Sequence, residues 1–135
     1  MVAVASPTPG RAQALANRYG IARSFLDYRE MLRESDIEMV TIALPNDLHA
    51  RVTHDAADAG KHVVCEKPLC LSFEEARTIK RAVDAAGITL TCAHNNLFAL
   101  SVMEARRLID EGVLGKVYFV QSNEIGRNMG LRLGR

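Results

Sequence analysis

The chain has 135 residues, of which 48% are hydrophobic and 24% charged, with 17 Lys and Arg against 16 Asp and Glu. This length and composition fit one folded domain with a buried core and exclude an intrinsically disordered chain. The near-neutral charge provides no basic patch of the kind that attracts nucleic acids or acidic membrane surfaces. No apolar run approaches the roughly 20 residues of a membrane-spanning helix, so we predict neither nucleic acid nor membrane as a partner.

Three cysteines, Cys65, Cys70 and Cys92, form an odd set without a C-x-x-C pair. One interpretation is a metal site built from Cys65, Cys70 and His62, and the other is a set of reduced, partly buried thiols. The apolar segments around Cys65 and Cys92 favour the second interpretation, so we predict no metal site. Reduced thiols, and an N-terminal apolar run without a basic leader, favour the cytoplasm as the compartment.

Short apolar runs typical of β-strands alternate with amphipathic helical patterns along the chain. The predicted strands cover residues 1–5, 38–44, 62–65, 88–93 and 117–121. The run at 38–44 lacks polar alternation, which is typical of a strand covered on both faces. Strands separated by helices cannot form hairpins, so we expect a parallel sheet with right-handed crossovers, wound as a doubly wound α/β fold.

The predicted helices begin at capping patterns and end at glycines. Thr8 caps the first helix before Pro9, and Ser72 and Ser101 each begin an S-x-x-E capping box. The glycines that end the helices are Gly20, Gly60, Gly87 and Gly112. The face predicted to be buried in the helix after Ser72 consists of Phe73, Ala76, Ile79 and Val83. Because the alternation stops near residues 115–116, we predict one domain over 1–115 and the start of another over 116–135.

Polar and titratable residues follow four successive predicted strands. They are Ser6 and Arg11, then Pro45, Asn46 and His49, then Glu66 and Lys67, and finally His94 and Asn95. In an open parallel sheet, ligands bind in the crevice outside the carboxyl ends of the strands. The sequence therefore predicts a binding crevice at that edge of the sheet.

Each of these groups also has a purely structural interpretation. Asn46 or Asp47 could cap the helix that follows the second clear strand. His49 could be an exposed or capping histidine, and Lys67 a solvated lysine at the end of a strand. Pro68 restricts Lys67 to extended backbone, and this fixed direction favours a lysine that faces a ligand.

Three segments resemble one known family. G-K-H-V-V-C-E-K-P-L at 60–69 resembles the G-K-H-V-x-x-E-K-P-L signature of the Gfo/Idh/MocA family, named for glucose–fructose oxidoreductase and inositol dehydrogenase. P-N-D-L-H at 45–49 resembles its P-N-x-x-H segment, and S-F-E-E-A at 72–76 resembles its S-x-E-E-A helix start. The resemblance implies a Rossmann-like fold and an NAD- or NADP-dependent oxidoreductase that acts on a sugar, a polyol or a related hydroxy or keto compound.

The same resemblance assigns roles to individual residues. Lys67 is implied to be catalytic, near the nicotinamide and the reacting carbinol oxygen, where an ammonium could donate a hydrogen bond or relay a proton. The positions implied to bind the cofactor are Pro45, Asn46, His49, Glu66, Lys67 and Asn95.

Ser6 and Arg11 bear on the choice of cofactor. A dinucleotide fold specific for NAD usually ends its second strand with an acid that bonds the ribose 2′-hydroxyl. Here a hydroxyl donor stands in that position, with a cation five residues on. A hydroxyl and a cation suit a 2′-phosphate, so we predict that Ser6 and Arg11 bind NADP, with NAD as the alternative.

No G-x-G-x-x-G occurs in the chain. If residues 1–5 form the second strand of the usual order, the first strand and its glycine-rich loop lie upstream. We therefore expect a partial doubly wound sheet from the centre of an oxidoreductase that forms a homo-oligomer, with little turnover from these residues alone. The alternative is a non-catalytic nucleotide-binding or assembly module derived from the same fold.

Overall fold

A computed structural model describes residues 1–122 of the chain. Its strands are β1 (Ala3–Ala5), β2 (Arg23–Phe25), β3 (Met39–Ile42), β4 (His62–Cys65) and β5 (Leu90–Cys92). Its helices are α1 (Arg11–Tyr19), α2 (Tyr28–Leu32), α3 (Asn46–Asp58), α4 (Phe73–Ala86) and α5 (Leu100–Asp110). The chain divides into two compact units, the first ending at His94 and the second beginning at Asn95.

The strands pair in parallel, as predicted, and form two sheets. β1 pairs with β2, and the second sheet has the order β3-β4-β5. Ile42, Cys65 and Cys92 are level with one another at the carboxyl ends of these three strands. One residue further on, the Glu66 amide donates to the Ile42 carbonyl at 2.9 Å and the Ala93 amide to the Cys65 carbonyl at 2.8 Å. We call these aligned carboxyl ends of β3, β4 and β5, with the residues that follow each, the rim.

The core of the first unit lies where α3 packs on the three-stranded sheet. Val52 and Ala56 of α3 are buried in one cluster with Val40, Ile42 and Val63 of the strands. Val52 and Ala56 therefore face the sheet, where burial of apolar surface stabilises the unit.

The amino-terminal end of β4 is held by a buried lysine. Lys61 is only 9% exposed, and its ammonium donates to the Glu34 carbonyl at 2.8 Å. A buried charge is tolerated only when it is hydrogen-bonded. This bond therefore fixes the start of β4 to the segment that follows α2.

Sequence periodicity did not reveal β2 and α2. Each has five residues or fewer, which is too short for a period to appear. A local signal was present, because the Asp27 carboxylate caps α2 by accepting from the Arg29 amide at 2.9 Å.

The capping box at the start of α4 is confirmed in part. The Ser72 hydroxyl accepts from the Glu75 amide at 3.1 Å, and the helix ends at Gly87, whose φ is +65°. The Glu75 carboxylate accepts from the Leu71 amide rather than from the amide of the cap residue. The burial predicted for Phe73 is wrong, because this first residue of the helix is 87% exposed.

Two other predicted helix starts are wrong. α1 begins at Arg11, so Thr8 is not its N-cap residue. The N-cap residue is Gly10, whose φ of +76° lies in the left-handed region that glycine adopts readily. Ser101 lies inside α5, which begins one residue earlier and has no side-chain cap.

Two strand predictions also need correction. The strand predicted over 38–44 is not covered on both faces, because Val40 and Ile42 are buried while Met39 is 59% exposed. Burial alternates there although polarity does not. No strand forms at 117–121, the last predicted strand among the described residues.

Among residues 1–122, no helix is long and apolar enough to span a bilayer. The domain boundary predicted between residues 115 and 116 stays a prediction. Residues 123–135, part of the second predicted domain, lie outside the described residues.

The two serines of the predicted capping boxes offer a matched test. We expect Ser72→Ala to lower the free energy of unfolding by about 1 kcal/mol, because it removes the acceptor for the Glu75 amide. Ser101→Ala removes no cap and should change stability by only a few tenths of a kcal/mol. Urea unfolding followed by circular dichroism measures both, and equal losses would contradict the assignment.

Candidate functional site

The rim brings three of the predicted groups together. Residues 43–46 follow β3, residues 66–68 follow β4, and residues 93–94 follow β5. Because the strands end in register, these segments start side by side. Pro45, Asn46, Lys67 and His94 are exposed there, whereas Glu66 is partly buried. Exposed polar groups on a shared edge are what a ligand site requires.

Lys67 is exposed at the centre of this edge. Its backbone amide donates to the Glu66 carboxylate at 3.2 Å, and its peptide bond to Pro68 is cis. Within residues 1–122, the Lys67 ammonium has no hydrogen-bond or ion-pair partner. The positive charge is therefore available to a ligand.

The first turn of α3 is also available. Pro45 is the N-cap residue, and its carbonyl accepts from the Leu48 amide at 2.9 Å. No side chain caps this helix, so the capping interpretation of Asn46 and Asp47 is wrong. Among residues 1–122, the side-chain amide of Asn46 thus has no hydrogen-bond partner, and the first backbone N–H groups of the helix have no side-chain cap.

His49 is fully buried, and the interpretation as an exposed or capping histidine is wrong. Its Nδ1 lies 2.6 Å from the Pro68 carbonyl oxygen, and its Nε2 lies 2.9 Å from the Leu44 carbonyl oxygen. The ring therefore connects the segment after β3 with the segment after β4. The predicted contact of His49 with a cofactor stays a prediction.

Ser6 and Arg11 lie at the end of the other sheet. Ser6 follows β1, and its amide donates to the Phe25 carbonyl at 3.0 Å. The Ser6 hydroxyl accepts a long hydrogen bond, 3.4 Å, from the Thr8 amide. Arg11 is the exposed first residue of α1. Register does not relate this pair to the rim, because β1 pairs only with β2 among the described strands.

Asn95 is the first residue of the second unit and begins a short 3-10 helix, Asn95–Phe98. Its side chain is exposed. Asn95 thus belongs to the second unit, and its predicted contact with a cofactor stays a prediction.

Sequence reasoning did not identify the backbone acceptors of the site. The Leu44 and Pro68 carbonyls determine where the His49 ring lies, yet no side-chain pattern marks a carbonyl. The one available signal was the spacing of His49 from the buried residues Val52 and Ala56. They follow it at three and seven residues, which places all three on one face of the helix.

Cys65 is the buried last residue of β4, next to Glu66. Burial raises the pKa of the Cys65 thiol above its usual value, because a thiolate loses solvation in the core. Cys70 and Cys92 are partly exposed. These environments agree with the predicted reduced thiols.

We expect Cys65 to react with iodoacetamide much more slowly than Cys70 and Cys92 at neutral pH. The thiolate is the nucleophile, and a raised pKa leaves less of it while burial blocks access. Mass spectrometry of the labelled peptides over time measures the three rates. In urea the rates should converge, and equal rates in the folded chain would refute the burial of Cys65.

Comparisons with known proteins identify relatives of the chain. Residues 1–94 match the family model described as an oxidoreductase family with an NAD-binding Rossmann fold. The chain is 38% identical over 114 residues to levoglucosan dehydrogenase from Pseudarthrobacter phenanthrenivorans, covering 84% of this chain and 29% of the relative. It is 38% identical over 121 residues to D-xylose 1-dehydrogenase (NADP(+)) 2 from Haloferax volcanii, covering 90% and 37%.

A solved structure extends the likeness to the fold. Scyllo-inositol dehydrogenase from Lactobacillus casei, with bound NAD(H) and scyllo-inositol, superposes with a TM-score of 0.78 at 27% identity. The match covers 85% of this chain and 34% of that one. The chain thus spans about a third of the length of the relatives it matches. This likeness confirms the predicted α/β fold of Rossmann-like type.

Proposed function

Because the chain belongs to the Gfo/Idh/MocA family of oxidoreductases, we propose that its rim binds a nicotinamide cofactor and that Lys67 is its catalytic residue. The reaction is transfer of a hydride between this cofactor and a sugar, a cyclitol or a related hydroxy or keto compound. The observation that carries the proposal is the exposed Lys67 ammonium on the rim, without an ion-pair partner among residues 1–122.

The chemistry needs a group with the properties of Lys67. When a carbinol is oxidised to a carbonyl, a hydride leaves its carbon and a proton leaves its hydroxyl oxygen. A bound nicotinamide would accept the hydride. Lys67 would first give one ammonium proton to solvent and then accept the hydroxyl proton, so that the proton passes from the oxygen through the amine to solvent. In the reverse direction the same ammonium donates the proton to the oxygen.

The residues around Lys67 suit a cofactor. Asn46 offers an amide that is not used in capping, and the uncapped first turn of α3 offers backbone donors to anionic or carbonyl oxygens. Pro45 and Glu66 complete the proposed cofactor side of the rim, and the predicted cofactor contacts of the buried His49 and of Asn95 stay predictions. The relatives include a D-xylose 1-dehydrogenase named for NADP(+) and a scyllo-inositol dehydrogenase with bound NAD(H), which supports a nicotinamide cofactor of either kind.

We further propose that NADP is preferred, with the 2′-phosphate bound by Ser6 and Arg11. Arg11 is exposed at the start of α1, and the Ser6 hydroxyl makes only one long hydrogen bond among the described contacts. A guanidinium pairs well with phosphate. The homo-oligomer, the cytoplasmic location and the domain boundary at 115–116 stay predictions from the sequence.

We expect Lys67→Met to lower kcat by about 10²- to 10⁴-fold, because it removes the proton relay while keeping an unbranched side chain only one heavy atom shorter. The test uses the complete reading frame that contains this chain, with reduced nicotinamide followed by absorbance on levoglucosan, D-xylose and scyllo-inositol. Lys80→Met is the matched control, since Lys80 is 75% exposed and pairs with Asp84 on α4. It should leave kcat unchanged.

A complete protein that binds the cofactor but turns over equally well with methionine at position 67 would refute the catalytic role. A protein that binds nucleotide and shows no turnover in any form would favour the alternative, a non-catalytic nucleotide-binding or assembly module.

The choice of cofactor has its own test. We expect Arg11→Ala to weaken NADP binding by about tenfold or more, because one charge-assisted hydrogen bond to phosphate is lost, and to leave NAD binding unchanged. Arg18→Ala is the control, since Arg18 lies at the other end of α1 over the Tyr19 ring. Isothermal titration with both cofactors measures the affinities. A wild-type preference for NAD would refute the proposal.

A further inference from the structure

His49 is a buried titratable side chain for which the proposed chemistry has no direct use. It lies in the first turns of α3, has no exposed surface, and contacts two backbone carbonyls from different loops. Buried polar atoms are retained when they are hydrogen-bonded. The partners of His49 therefore indicate what its ring does.

Both ring nitrogens of His49 face acceptors. The Pro68 oxygen lies 2.6 Å from Nδ1 and the Leu44 oxygen 2.9 Å from Nε2. A carbonyl oxygen only accepts, and a neutral imidazole donates from one nitrogen only. In either neutral tautomer, the ring donates to one of these oxygens and lies against the other, so it contacts both segments.

The two carbonyls belong to the two segments that carry the proposed site. Pro68 directly follows Lys67, and Leu44 lies two residues before Asn46. On the other side of Lys67, the Glu66 amide is bonded to the Ile42 carbonyl. The backbone of Lys67 is thus held on both sides, by the sheet before it and by the His49 ring after it.

We propose that His49 is a positioning residue: its buried ring, placed between the Pro68 and Leu44 carbonyls, ties the segment after β3 to the segment after β4 and so holds the Lys67 ammonium at the rim. This inference rests on the proposed function of Lys67. It replaces direct contact of His49 with the cofactor by an action through Lys67. Because Lys67 is exposed and lacks an ion pair among the described residues, its backbone decides where the ammonium lies.

Three variants at position 49 test the contacts of the ring with Pro68 and with Leu44 one at a time. The amide of His49→Asn has its donor near the place of Nδ1 and keeps the bond to Pro68. The amide of His49→Gln has its donor near the place of Nε2 and keeps the bond to Leu44. His49→Phe fills the space and donates neither. His54→Asn is the matched control, because His54 lies on the same helix, half exposed, beside Asp58.

In the complete reading frame, we expect His49→Phe and His49→Gln to lower kcat by about 10²-fold, the effect of a reacting group displaced by about 1 Å. His49→Asn should restore most of kcat because it keeps the bond beside Lys67. KM for the nicotinamide nucleotide should stay within a few-fold, and His54→Asn should match the wild type. Equal kcat in the Asn, Gln and Phe variants would overturn the inference, whatever their stability.

A double variant tests whether His49 acts through Lys67. We expect His49→Phe to lower kcat about 10²-fold in the wild type but only a few-fold in the Lys67→Met background, because no ammonium is left to position. The same 10²-fold loss in both backgrounds would overturn the positioning role while leaving the catalytic role of Lys67 intact. An effect of His49→Phe without an effect of Lys67→Met would refute the proposed function itself, and with it the inference.

A spectroscopic measurement on this chain is independent of turnover. Proton–nitrogen spectra of uniformly ¹⁵N-labelled protein report on the backbone amides around Pro68. We expect the amide signals of Glu66, Lys67 and Leu69 to shift in His49→Phe while that of Val40 stays in place. Unshifted signals at these three residues would overturn the inference.

Discussion

The register of three parallel strands is the constraint on which the rest of the site depends. Because β3, β4 and β5 end level with one another, the segments that follow them leave the sheet side by side. Backbone bonds from Glu66 and Ala93 extend this alignment one residue past the strands. A shift of register by one residue would reverse which side chains face the core. The same pairing thus maintains both the core and the rim, the proposed ligand site.

Burial of α3 against the sheet serves the site as well as stability. The face that contributes Val52 and Ala56 to the core also carries His49, one turn earlier, into the interior. There the ring meets two carbonyls that neither the helix nor the sheet satisfies. The apolar contacts of α3 therefore position the His49 ring, and this ring contacts both loops at the rim.

The sequence predicted the parts of the fold that have long periods or clear boundaries. α3, β4 and α4 with its Ser72 cap follow from apolar spacing and capping chemistry, and the residues of the rim follow from their positions after strands. β2 and α2 were too short to show a period. The buried state of His49 could not be predicted, because its partners are backbone carbonyls brought close only by tertiary structure. Exposure of Phe73 depends likewise on where the helix axis points.

The buried ammonium of Lys61 gives the signature segment at 60–69 a structural role as well. Lys61 anchors the amino-terminal end of β4, while Lys67 stands just past its carboxyl end. The four residues of β4 between them span roughly 13 Å at about 3.3 Å per residue, and Lys67 lies two residues past the end of the strand. Two lysines in one short segment thus differ in role, because Lys61 anchors the strand and Lys67 is the proposed catalytic residue. Deleting a residue between them would displace Lys67 from the rim while the bond of Lys61 stayed in place, so the length of this segment is constrained as well as its sequence.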